Sequence, residues 1–308
     1  MIFELIQFLK QTNYLMIIFL LFLQELRGNQ NRTVINGECF VEKAYFYNLG
    51  SLVNDGSAIL KTSSSDLRIL NSIFSSCSAQ LTGGAIKAIG GFFQTIYTCL
   101  NNCNVRTVKD NYFGNGFYIQ SNTSIDLISF LKCGVSKESS ADSSIYVLNG
   151  PAVIENSNFT CCHGTGGASS VFFDSMLSSS KMSYSNVAYG ISNCGIVIVP
   201  GNPTTINNMN MLHMRCNWQL NFVYRPNSFF ISCLYFNNTF SAFSGPSSAT
   251  YSLCHSDNSG GLCTIATLYT HKNSPLSYEE CTIHLIPTYN TRYSSIPMQV
   301  IILVLIII

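Results

Sequence analysis

Asp126 and Glu155 are the residues of this 308-residue chain whose placement best suits acid–base chemistry. Each stands four residues before a phenylalanine, Phe130 and Phe159, so the step from one carboxylate to the other equals the step between the two rings. If that step is one turn of a repeating structure, the carboxyls lie side by side roughly 5 Å apart, the separation at which retaining glycosidases pair an acid with a nucleophile. The constellation therefore suits a carbohydrate-active enzyme, a polysaccharide lyase or a glycosidase. Two features weigh against it. The equivalent places in the neighbouring turns read as Leu70 and Ser180, and no column of Arg or Lys accompanies the acids to hold an acidic sugar. Two solvated polar residues at a corner are the competing reading.

Other chemistry has weaker carriers. Cys161, Cys162 and His163 are consecutive, and Cys254 precedes His255, but adjacent side chains on a strand diverge and no C-x-x-C pair exists, so neither a metal nor a cofactor is expected. No G-x-S-x-G, H-E-x-x-H, P-loop or dinucleotide-binding motif occurs. Trp218, His213, His271 and His284 read as packing or loop residues. Aromatic residues are 12% of the chain and would supply a sugar- or protein-binding strip if they shared one face.

What must position such residues is a repeat. An aromatic-x-x-Cys phrase occurs at Phe74/Cys77, Phe130/Cys133, Phe159/Cys162, Phe230/Cys233 and Tyr251/Cys254, with Leu100/Cys103 as an aliphatic version. The cysteine intervals are 26 from Cys77 to Cys103, 30 to Cys133 and 29 to Cys162, then 54, about two periods, to Cys216 with Tyr184-x-x-Val187 at the midpoint. A second phrase, small residues opening an apolar run, aligns Ala58, Ala85, Phe117, Ile145, Val171 and Ile196 at steps of 27, 32, 28, 26 and 25. Two markers thus give one period.

Such a period means a solenoid. The apolar runs are four to six residues long, rich in Ile, Val, Phe and Tyr, and none carries ten residues of helical periodicity, so the units are strands. A coil of ~26 residues is one turn of a right-handed parallel β-helix, and six to eight coils would stack at ~4.8 Å spacing. Gly83 and Gly84 then allow a positive φ at a corner. Phe74, Phe130 and Phe159 would fill the interior beside Cys77, Cys103, Cys133 and Cys162. Stacked cysteines are close enough either to remain a thiol ladder or to form disulfides.

The stretch FSSCSAQLTGGAIKA resembles the repeat of the polymorphic outer membrane proteins of chlamydiae, whose signatures are GGA[I/L/V] and F-x-x-N. It is similar also to the related right-handed β-helix surface proteins of trichomonad parasites, in which the pattern often carries Cys. The likeness covers about residues 56 to 240; the full GGAI stands at Gly83 to Ile86, and F-x-x-C replaces F-x-x-N. The resemblance implies a β-helix displayed at a cell surface and associated with adhesion, with a host or neighbouring-cell surface protein or glycan as partner.

Composition agrees with export. Charged residues are only 10%, the net charge is +1 and no basic cluster exists to bind nucleic acid. Thirteen cysteines suit an oxidising compartment. Tyr14 to Leu23 is a ten-residue apolar run after Lys10, which matches a secretory signal. N-x-S/T sequons stand at Asn31, Asn122, Asn158 and Asn237. Residues 1–28 read as a signal peptide or signal anchor, 29–233 as the β-helix, 234–295 as irregular last coils or a cap, and 296–308 as an apolar tail forming part of a membrane segment. A location in the membrane or at the cell surface, or otherwise secretion, is expected.

Overall fold

The computed structural model describes residues 33–50, 55–106, 114–134, 143–174, 179–198, 203–223, 228–239, 250–256 and 264–265. The N-terminal signal, Asn31, the apolar tail and most of the expected cap lie outside the described residues. Within them the chain is a right-handed parallel β-helix with no helical segment, and its strands pair in parallel with the coils before and after.

One coil shows why. Strand Phe117–Leu131 runs along one face at Phe117 to Ile119, along a second at Thr123 to Asp126, and along a third at Ser129 to Leu131. Ser, Thr and β-branched residues alternate along it, so Ile119, Ile125 and Phe130 are buried while Asn122 is exposed. The next coil repeats these faces in Ile145–Leu148, Ala152–Glu155 and Asn158–Thr160, pairing Ile145 with Phe117, Ile154 with Ile125 and Phe159 with Phe130.

Two of the corners are a single left-handed residue each. Leu127 (φ 50°) ends the second face and Lys132 (φ 52°) the third; Asn156 and Cys161 do the same one coil later. Each such residue keeps its N–H in the stack, as in Lys132 to the carbonyl of Thr160 and Asn156 to that of Ser183. One residue turns the chain without breaking the ladder, which is why strands 15 and 16 residues long span a corner. A left-handed L-residue costs about 1–2 kcal/mol, and the hydrogen bonds on either side hold it there.

The interior is columns of like residues. Phe46, Phe74, Leu100, Phe130, Phe159, Val187, Met211 and Tyr235 occupy one register position, one in each successive coil. All are buried. Phe46 and Phe74 stack at 4.6 Å and Phe130 and Phe159 at 5.0 Å. Stacked rings add about 0.5–1.5 kcal/mol per pair beyond their area. After Val187 the coils become shorter, and strands Thr250–Ser252, His255–Ser256 and Thr264–Ile265 continue the pairing within the region expected to be irregular.

Register corrects several alignments. Ile59 and Ile86, not Ala58 and Ala85, stand at the place of Phe117, Ile145 and Val171, because the alanines pack one position earlier. Phe230/Cys233 and Tyr251/Cys254 belong to the corner after the second face, since Phe230 pairs with Ile206 and Tyr251, whereas Phe74/Cys77 belongs to the corner after the third. Cys216 lies two residues beyond the cysteine column, whose successors after Cys162 are Gly190 and Met214. Gly83 has φ 60°, as expected, but Gly84 does not need a positive φ; a β-carbon there would strike the carbonyl oxygen of Asn115 in the next coil.

Candidate functional site

The carboxylate pair is in register. Glu155 pairs directly with Asp126, and the neighbours on either side are Ile96 and Ser183; Ser180 lies three residues upstream of Ser183, and Leu70 is one coil beyond Ile96. Both acids are occupied. Asn156 Nδ2 donates to Asp126 Oδ1 at 2.8 Å, while Lys181 Nζ (2.7 Å) and Ser183 Oγ (2.8 Å) donate to Glu155 Oε1. The Lys181 hydrogen bond, with help from Ser183, holds the Glu155 carboxyl below its ordinary value against the opposing effect of burial. A glycosidase acid needs the opposite shift, upward, so that its proton is present to donate. Register supplies the proximity, and the neighbouring donors take away the acid.

The thiols are structural. Cys77, Cys103, Cys133 and Cys162 are buried and free, one above another inside the corner after the third face. Each thiol donates to the carbonyl two residues before it, and Cys103 reaches also to that of Phe74 at 3.5 Å. Burial pushes the Cys77, Cys103 and Cys133 thiols well up, so they are poor nucleophiles. Cys99, on the same strand as Leu100, is disulfide-bonded. Cys161 sits at the left-handed position, Cys162 points inward and half-buried His163 follows; among the described residues no three His, Cys, Asp or Glu side chains converge on one point. Buried Lys61 donates to the carbonyls of Ser63 (2.7 Å) and Gly90 (2.9 Å), a cation used to close a bend.

An aromatic column does exist on the outer side of the first face. Tyr118 and Tyr146 stack at 5.7 Å, Tyr146 and Phe172 at 4.8 Å, and Lys87 lies 5.3 Å from the Tyr118 ring. It is not an open strip, because Tyr118 and Tyr146 are 8% and 3% exposed and the Tyr146 hydroxyl donates to Asp174.

The open site is elsewhere. At the corner after the third face Tyr189, His213 and Asn237 hold the left-handed position in three successive coils. Two residues on in each coil stand Ile191, Arg215 and Thr239, with Gly190, Met214 and Asn238 turned inward between the two rows. The rows flank a cleft of about 490 Å³ lined by all six outer residues and Met214. The Tyr189 and His213 rings stack at 4.9 Å, 4° from parallel, and the Asn237 amide lies 2.8 Å from His213 Nδ1. With Nδ1 accepting that amide, Nε2 is the protonated nitrogen of the neutral ring. Tyr189, Ile191, Arg215, Asn237 and Thr239 are exposed. His213, expected to pack or lie in a loop, is thus a member of a surface stack. A Tyr, a His and an Asn spaced by one short coil each, and each one residue before the column position of Cys162, are the signal that identifies it.

The sequons differ in access. Asn122 and Asn237 are exposed, whereas Asn158 is half-buried and accepts the hydroxyl of its own Thr160 at 3.2 Å. Comparison of the chain with protein-family models, curated proteins and solved structures finds no match.

Proposed function

We propose that this chain is a non-enzymatic, adhesion-type or structural β-helix of the cell surface, or a secreted one, which engages its partner with the side of the solenoid. One observation carries the reading: the cleft at Tyr189, His213, Arg215 and Asn237 is open to solvent, whereas the carboxylates that would do chemistry are engaged on one oxygen each, Asp126 by Asn156 and Glu155 by Lys181 and Ser183. The signal-like N-terminus, the exposed sequon at Asn122 and the resemblance to chlamydial and trichomonad surface β-helices support it. A host or neighbouring-cell protein or glycan is the partner class, and the terminal apolar segments are the contact with the membrane.

The in-register placement of Asp126 and Glu155 favours one other reading, a carbohydrate-active enzyme. Loss of a measured glycan turnover on the double substitution Asp126→Asn, Glu155→Gln would establish it in place of adhesion.

The primary test is localisation of the tagged full-length protein in its own cell, with protease shaving of intact cells and glycosidase treatment. Removal of the tag-bearing chain by external protease, with a mobility shift on deglycosylation, is the expected outcome. A protease-protected, unglycosylated product overturns the reading.

A further inference from the structure

We infer that the cleft between the Tyr189–His213–Asn237 row and the Ile191–Arg215–Thr239 row is a binding site for an acidic saccharide, with Arg215 receiving the acid group. The inference rests on the adhesion-type reading and adds to it a site and a ligand class.

Charge is the first support. Only 10% of the residues are charged, and at this corner the charge beside the cleft is the Arg215 guanidinium. Arg215 is exposed and forms no salt bridge with a carboxylate among the described residues. Further along the same two rows stands exposed Lys132, while burial lowers the His163 pKa and favours its neutral ring; none of the described Asp or Glu residues stands on either row. Lys132 is three coils from His213, roughly 14 Å along the solenoid at ~4.8 Å per coil, so the positive charge at the cleft is that of Arg215. A planar guanidinium with no carboxylate beside it is suited to a carboxylate or sulfate oxygen pair.

The rest of the lining selects a sugar over a bare polyanion. Around the single guanidinium lie the Tyr189 and His213 rings, the aliphatic side chains of Ile191 and Met214, the Asn237 amide and the Thr239 hydroxyl. Apolar patches interleaved with neutral donors and acceptors match a ring that presents C–H groups on its faces and hydroxyls at its rim. A phosphorylated or nucleic-acid chain would call for several clustered cations, and the cleft holds one. Its 490 Å³ falls within the range of about 300–1,000 Å³ seen for small-ligand sites.

The site is prebuilt. Asn237 orients His213, His213 stacks on Tyr189, and Thr239 Oγ1 accepts the N–H of Cys216 at 3.1 Å, so these four outer side chains are held before a ligand arrives. Gly190 matters for the floor: a β-carbon there would meet the Met214 methyl and Ser169, so a larger residue would shift Met214 beneath the cleft.

The test is calorimetric titration of the full chain, produced without N-glycosylation so that the Asn237 amide is unmodified. Three oligosaccharides of equal length are used: a sulfated one, a uronic-acid one and a neutral one, with an oligoglutamate peptide as a fourth probe. Binding of one or both acidic saccharides is expected, with at least tenfold weaker binding of the neutral sugar and the peptide; which acid binds tighter identifies the source as sulfated or carboxylated glycan. Arg215→Ala is expected to weaken the acidic saccharide about tenfold with an unchanged unfolding midpoint, since the residue is exposed. Tyr189→Ala should weaken it several-fold. No binding, equal binding by Arg215→Ala, or equal binding of the peptide overturns the inference. Failure here with the protein shaved from intact cells removes only the ligand class; a protease-protected protein removes the adhesion reading itself.

Discussion

The two single-residue corners of each coil share one backbone and differ in almost everything else. Both turn on a left-handed residue, Asn156 or Tyr184 at the corner after the second face and Cys161 or Tyr189 at the corner after the third. Both can follow it with an inward side chain that donates to the carbonyl two residues back. At the first of these corners that side chain is often a hydroxyl, as in Ser72 to Leu70, Ser157 to Glu155 and Ser185 to Ser183, at 2.8 to 3.0 Å. At the other it is a thiol, Cys77 through Cys162, at 3.6 to 3.7 Å. A hydroxyl also accepts well: Ser72 takes the N–H of Ala44, and Ser185 that of Ser157. The hydroxyl corner is thus hydrogen-bonded inside and, through Asp126, Glu155, Asn156 and Lys181, outside as well. The corner after the third face carries thiols from Cys77 through Cys162 and, in the coils of the cleft, Gly190, Met214 and Asn238, with its outer row there mostly exposed. Identical backbones thus present different outer surfaces at the two corners.

The largest effect that separates the corners is the cost of trimming the inward residue. Ser185→Ala removes the acceptor for the buried N–H of Ser157, and an orphaned donor costs about 1–3 kcal/mol. Cys133→Ala removes a weak donor that no backbone N–H relies on and leaves a void of about methyl size, worth about 1 kcal/mol. Urea unfolding of both variants checks the order. Equal midpoints would mean the hydroxyl ladder contributes no more than its volume.

Much of this was legible in the sequence, and the failures have a common cause. The period, the strand content and the Asp126–Glu155 register follow from spacing alone, because one coil to the next is a translation that keeps residue type in column. What spacing does not reveal is which of two similar corners a phrase belongs to. Phe74-x-x-Cys77 and Phe230-x-x-Cys233 read alike, since both consist of an inward residue, a left-handed residue and a second inward residue. Coils that become shorter after Val187 also displace any count made from cysteines, which is how Cys216 joined a column that Met214 occupies. The cleft was hidden for a different reason: Tyr189, His213 and Asn237 are unlike residues, and their one-coil spacing reads as a row only once Gly190 and Met214 are placed in the column of Cys162.

A smaller effect tests whether the left-handed backbone itself is strained where nothing covers it. Leu253 continues the row of Asn156, Tyr184 and Ser232, with φ 54° and 73% exposure, the most exposed large apolar residue described. Leucine gains no packing there, and the left-handed region disfavours it. Leu253→Asn, whose short polar side chain tolerates that region, should stabilise the chain by up to ~1 kcal/mol. The same substitution at Tyr189 would relieve the backbone equally but remove the ring on which His213 stacks, so it should leave stability unchanged while weakening the cleft. A thermal unfolding midpoint that falls in Leu253→Asn would show that the leucine packs against neighbours after all.

The smallest effect concerns the closed carboxylates. Glu155 has its pKa lowered in the folded chain by Lys181 and Ser183, so it releases its proton more readily folded than unfolded. Its contribution is therefore complete above the ordinary glutamate range near ~4.3 and is lost as the pH falls through the lower folded value. The Lys181 and Glu155 side chains are 43% and 33% exposed, and exposed ion pairs are worth about 0–1 kcal/mol. Glu155→Gln should thus cost less than ~1 kcal/mol at pH 7 and nothing near pH 2, with the difference shrinking in high salt as exposed charges are screened. Stability curves of the two proteins between pH 2 and 7 make the measurement. Curves that diverge toward low pH instead would mean that Glu155 holds its proton in the folded state, the property a general acid needs, and would move the chemistry back to the hydroxyl corner.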